Sequence, residues 1–198
     1  MNTRSPSSVS CRRSNPRCRI YTALVISALG AILLPMTAGA HPQTRQGFFM
    51  GLGVGFSSAG QTTRFNGGDG RKDGASGSFR LGYAFNPKFA LGMENNSWFN
   101  SAGGGTTTLG AITAAVSYFP AQGLVLRAGV GGSYAAAAGD GISGDAGSSW
   151  TVGAAYEFRV ARTFAIGPQL DYSHVKFSSF DSDYVSLGLS MNWYFIPR

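Results

Sequence analysis

From Phe48 onward the chain alternates large apolar residues with small or polar ones. Period two is the spacing at which successive side chains of an extended strand point to opposite faces. Eight segments carry it: 48–56, 78–85, 89–97, 108–118, 124–134, 148–158, 164–174 and 184–195. In the first, Phe48, Met50, Leu52, Val54 and Phe56 oppose Gly51, Gly53 and Gly55. In the last, Val185, Leu187, Leu189, Met191, Trp193 and Phe195 oppose Ser186, Gly188, Ser190 and Asn192. No segment shows a convincing amphipathic helical pattern. The connections alternate in length. Short ones fall at Asn86-Pro87-Lys88, around Pro120-Ala121-Gln122 and at 159–163, and the longest is the polar, glycine-rich stretch 57–75.

Strands of about ten residues, with tight turns at one end and longer loops at the other, describe an up-and-down meander whose two ends face different surroundings. The expected fold is all-β: an eight-stranded antiparallel up-and-down transmembrane β-barrel. The composition decides which face is inside. Only 13% of the residues are charged, too few to coat a water-soluble barrel. In a bilayer the bulky apolar face meets lipid, and the small and polar face fits a lumen just wide enough for side chains. Closing the sheet also pairs the backbone groups that hydrocarbon cannot satisfy.

That assignment places Arg80, from "SFRLGYAF", inside the barrel, where an isolated charge is strongly disfavoured. With Asn86-Pro87-Lys88 as the turn, Phe85 faces Phe89, Tyr83 faces Leu91 and Leu81 faces Met93. On the inner face Ala84 meets Ala90, Gly82 meets Gly92, and Arg80 meets Glu94. Slipping this register by one residue would turn an apolar set inward. Arg127, Glu157 and Asp171 share the inner face, so the expected lumen ion pairs are Arg80 with Glu94 and Arg127 with Glu157. Asp171 is left without a named partner.

The beginning of the chain has a different character. Arg4, Arg12, Arg13, Arg17 and Arg19 precede the apolar run 20–34, and Ala38-Gly39-Ala40 follows it. A basic head, a short apolar core and a small-residue exit read as a secretory signal peptide over residues 1–40, cleaved near Ala40-His41. Residues 41–198 are then the barrel domain. Both cysteines, Cys11 and Cys18, and five of the 16 basic residues belong to the leader. The remainder has eleven basic residues against 9 acidic, a net charge of +2. It has no thiol for a disulfide, and its charge does not indicate nucleic-acid binding.

Taken together, the leader, "FFMGLGVGF" as first strand, "FRLGYAFNPKFALGME" as hairpin and "SLGLSMNWYF" as last strand resemble the porin-like outer-membrane β-barrel family of Gram-negative bacteria, in its small OmpA- and OmpX-type members. The resemblance implies a bacterial outer-membrane location with both barrel termini in the periplasm. It implies contact with outer-membrane lipid and lipopolysaccharide, and insertion by the barrel-assembly machinery, which recognises a last strand ending in an aromatic such as Phe195. The chain departs from the family in continuing to Ile196-Pro197-Arg198.

Candidate chemistry is sparse. Gly51, Gly53 and Gly55 lie inside an alternating strand and lack the helix a nucleotide-binding loop requires, so they read as lumen spacers. His174 lies near Ser173, Ser178 and Asp171, but Asp171 falls on the opposite strand face, and no lipid A deacylase-like His-x-Ser is present. Asp140, Asp145, Asp181 and Asp183 read as solvated turn acids rather than calcium ligands. Arg64, Arg71 and Lys72 in the longest loop are candidate partners for lipopolysaccharide phosphates. The expected protein is a monomeric, non-enzymatic, cofactor-free outer-membrane barrel with a structural or surface-interaction role and a charge-plugged lumen. A narrow porin is the alternative reading, and a lipid A-modifying enzyme the third.

Overall fold

The computed structural model describes residues 45–63, 70–102, 105–138, 143–178 and 180–195. The leader over 1–40, Arg64, Asp140 and residues 196–198 lie outside them.

All the regular structure among the described residues is β: β1 (Gly47–Thr63), β2 (Gly70–Asn86), β3 (Phe89–Ala102), β4 (Gly105–Tyr118), β5 (Leu124–Ala138), β6 (Ser143–Tyr156), β7 (Phe158–Ala161), β8 (Phe164–Lys176) and β9 (Phe180–Phe195). Consecutive strands pair antiparallel except β6 and β7, which both pair with β8, and β1 pairs with β9, so the sheet closes on itself. β6 and β7 are one stave. Ala155 faces Gln169 and Phe158 faces Ile166, so the register is the same on both sides of Glu157. The break coincides with Pro168, which falls opposite Tyr156 and has no N–H to give to the ladder. The barrel therefore has eight staves, as the alternation predicts.

Burial follows the inversion expected for lipid. Phe79, Leu81, Tyr83 and Phe85 are exposed while Arg80 between them is 4% exposed. The same holds at Val54, Phe56, Val130, Leu187 and Leu189, all outward and exposed. Outward aromatics collect where the short turns lie: Phe89 stacks on Tyr118, Tyr156 packs on Phe158, Phe164 on Trp193 and Phe48 on Phe195. Such a girdle marks a membrane interface.

Two local expectations are corrected. Phe89 pairs with Asn86 rather than Phe85, because the ladder shifts between Ala84 and Asn86. The turn is Pro87-Lys88, and Asn86 Oδ1 accepts the N–H of Lys88 and of Phe89 at 2.8 and 2.9 Å. The bulge at Phe85 supplies the extra residue that the tighter turn removes, so Leu81↔Met93 and Arg80↔Glu94 stand as expected. The second correction concerns 57–75. Most of it is not loop: β1 and β2 stay paired up to Gln61↔Gly70. A hairpin ladder is made of backbone groups, and polar side chains do not end it once it leaves the apolar band.

Candidate functional site

Among the described residues, buried ionic side chains gather in the barrel interior. The buried charged residues among those described are Arg45, Arg80, Arg127, Glu94, Glu157 and Asp171, three cations against three anions. Equal numbers matter, because a buried charge without a counter-charge costs several kcal/mol.

The middle layer is built from β2, β3, β5 and β8. Arg127 reaches two carboxylates: its Nε lies 3.1 Å from Glu94 Oε1, and its Nη2 donates to Asp171 Oδ1. The second contact crosses a whole stave. Arg127 and Asp171 both face Gly153 of β6, from opposite sides. A Cβ on Gly153 would fall on Asp171 Oδ1, so the missing side chain is the gap through which the pair meets. Arg80 Nη2 donates to Gln169 Oε1, and Gln169 Nε2 donates to Ser78 Oγ at 3.1 Å. Gly51 and Gly53 leave room for this layer, since Cβ atoms there would strike Asn192, Ser78 and Gln169.

The turn-end mouth centres on Glu157. Its Oε2 accepts Arg45 Nη2 at 3.0 Å and Nε at 3.3 Å. Its Oε1 accepts Asn192 Nδ2 at 3.0 Å, and the Tyr194 hydroxyl donates to both oxygens at 2.7 and 2.9 Å. Arg45 also lies 4.2 Å above the Phe119 ring. Phe49, Val125, Ala155 and Ala165 complete an apolar collar here. At the far end Trp98, Leu109, Val175, Phe177 and Tyr184 form a second apolar cluster, with the Tyr184 hydroxyl on the Asn96 carbonyl at 2.7 Å.

The sequence places all five expected lumen charges on the inner face, but the partners differ. Arg80 and Glu94 are register neighbours, yet the Glu94 carboxylate goes to Arg127, and among the described residues Arg80 makes no ion pair within 4 Å. Arg127 does not pair with Glu157; it takes Asp171 and Glu94, while Glu157 takes Arg45. Register fixes which backbones are adjacent. A guanidinium at the end of a long side chain selects its carboxylate across the lumen, which adjacent-strand reasoning misses. Arg45 escaped the sequence reading because it precedes the first alternating segment.

Outside the lumen, Arg71 Nη1 lies 3.0 Å from Asp183 Oδ2, and its Nη2 donates to the Ser58 carbonyl at 2.7 Å. Lys72 is exposed. Asp145 lies within β6, opposite Ala135, and Asp181 and Asp183 lie within β9, opposite Lys176 and His174, so these acids belong to strands that run past the apolar band and not to turns. His174 packs on Trp150 on the outer face, whereas Ser173 and Asp171 are buried on the inner one. Among the described residues no group of three His, Cys, Asp or Glu is placed to hold a metal ion.

No protein-family model matches the chain, and no curated protein sequence matches it. Solved structures do. The crystal structure of Neisserial surface protein A is 17% identical, with a TM-score of 0.59, covering 75% of this chain and 97% of that one. Ail, the attachment invasion locus protein of Yersinia pestis, is 15% identical, with a TM-score of 0.52, covering 75% and 99%. A second Ail structure, in complex with the heparin analogue sucrose octasulfate, has a TM-score of 0.51 at 15% identity over 74% and 99%. At such identities a likeness speaks for architecture, and here it agrees with the closed ladder and inverted burial: the chain has the fold of the small eight-stranded outer-membrane barrels of the OmpA/OmpX type.

Proposed function

We propose that this chain is a non-enzymatic barrel of the bacterial outer membrane whose role is structural or surface-interacting, with a lumen plugged by its own side chains. The observation that carries the reading is the inversion of burial: ionic groups inside, phenylalanine and leucine outside. Three stacked layers support the plug, an apolar collar around Glu157, the Arg127 layer and the Trp98 cluster. In this reading residues 1–40 are removed near Ala40-His41, the assembly machinery inserts the barrel as a monomer, and the short turns face the periplasm. Arg71 and Lys72 then lie toward lipopolysaccharide. The Arg71 guanidinium divides itself between Asp183 and Ser58, which leaves Lys72 as the less engaged cation to meet a phosphate. Ail bound to a sulfated sugar shows that this architecture accommodates a polyanion in that protein.

The test combines location and transport. Protein from an outer-membrane fraction should show heat-modifiable gel mobility and no steady conductance in planar bilayers. A conducting wild type, with conductance altered by Arg80→Ala, would replace the plugged reading with the narrow porin. Mass spectrometry of lipid A from cells with and without the protein, and with His174→Ala, addresses the enzymatic reading: a modification that requires His174 would overturn the proposal.

A further inference from the structure

Glu157 is bonded by one arginine, and a second lies over the ring of a tyrosine that also bonds it. Arg45 makes two hydrogen bonds to its carboxylate. Arg159 lies 4.9 Å above the ring of Tyr194, the residue whose hydroxyl donates to that same carboxylate. Arg159 Nη1 donates to the Arg162 carbonyl at 2.8 Å, while its Nε and Nη2 are buried and meet no acceptor among the described residues. Buried donors without acceptors are uncommon and need a reason.

The two arginines are tethered differently. Arg159 belongs to β7 and is fixed by pairing with Ala165. Arg45 precedes β1 and lies outside the ladder. Its side chain sits in the mouth on Glu157 and the Phe119 ring. Losing Arg45 would ordinarily strand a buried carboxylate. Here a second guanidinium stands one tyrosine ring away.

We propose that Glu157 is the fixed pole of a two-arginine latch at the turn-end mouth: Arg45 closes the mouth and docks itself and Gln46 there, and Arg159 takes over the carboxylate when Arg45 leaves. The latch has two states. In one the mouth is covered by Arg45 on Phe119. In the other Arg45 and Gln46 are released and Glu157 remains neutralised. Asn192 and Tyr194, both from the last stave, hold the carboxylate in place in either state. The latch stands independently of the surface role proposed above.

The experiment is a mutant cycle on the full chain folded in lipid vesicles, read by gel mobility after heating. Arg45→Ala and Arg159→Ala singly should raise the unfolded fraction modestly. The Arg45→Ala/Arg159→Ala double variant should exceed the product of the single effects by about tenfold, because each arginine substitutes for the other. In a Glu157→Gln background, where no charge needs neutralising, that excess should disappear. Should the double variant not fold, Arg45→Ala with Arg159→Lys or Arg159→Gln replaces it: folding restored by lysine alone supports the latch. Additive single effects, an excess that survives Glu157→Gln, or equal behaviour of lysine and glutamine would each overturn it. A spin label at the exposed Gln46 supplies the conformational readout: Arg45→Ala should make it mobile, and an unchanged spectrum would also overturn the latch.

Discussion

Single residues in the lumen act through space as much as through charge. Gly153 has no contact of its own to contribute, yet it is the opening through which Arg127 reaches Asp171. Gly153→Val should therefore displace that pair and destabilise the barrel by about 2–4 kcal/mol, measured as a lowered heating midpoint in vesicles. Asp171→Ala, which keeps the space but removes the anion, should cost about 3 kcal/mol, because Arg127 would then share Glu94 alone. If Gly153→Val is neutral, the pair is not crossing the stave as described. Glycines are plentiful in this chain, and alternation alone marks them only as small. Which one is a window depends on what stands on the two neighbouring staves.

At the scale of elements, the β2–β3 hairpin shows how a pattern and a turn settle a register between them. The apolar alternation demands Leu81 opposite Met93, and Pro87 with Asn86 favours a tight turn. The two demands differ by one residue, and the bulge at Phe85 absorbs the difference. Asn86→Ala removes the one side-chain oxygen that accepts the N–H groups of Lys88 and Phe89, and should cost about 1 kcal/mol without moving the Arg80↔Glu94 register. Disulfide trapping of Leu81→Cys with Met93→Cys checks the register: efficient trapping in the Asn86→Ala background is expected, and trapping to a shifted partner would show that the turn, not the apolar pattern, holds the strands. The overlong ladder of β1 and β2 belongs to this scale as well. The polar composition of 57–75 reads as a loop because composition reports on solvent, while pairing reports on backbone geometry.

For the whole molecule, the inverted burial makes a prediction that depends on no single contact. The chain has 3 tryptophans. Trp150 is 42% exposed on the outer wall and Trp193 lies on the outward face of β9, whereas Trp98 is 2% exposed inside. In single-tryptophan variants reconstituted with brominated phospholipids, Trp150 and Trp193 should be quenched strongly and Trp98 hardly at all. The reverse order would dismiss the transmembrane reading.

The chain's own order of residues determined the fold class, the number of staves, the outward apolar face and every buried lumen charge named here except Arg45. All of these follow from a period of two combined with a shortage of charge, and each strand reports them locally. Tertiary structure decided the pairing. Arg80 bonds Gln169, Arg127 gathers Glu94 and Asp171, and Arg45 enters from outside the repeating pattern to hold Glu157. These choices depend on distances across a closed lumen between staves far apart in sequence. The pattern along a strand says which side a residue faces, but only closure of the ring says what it finds there.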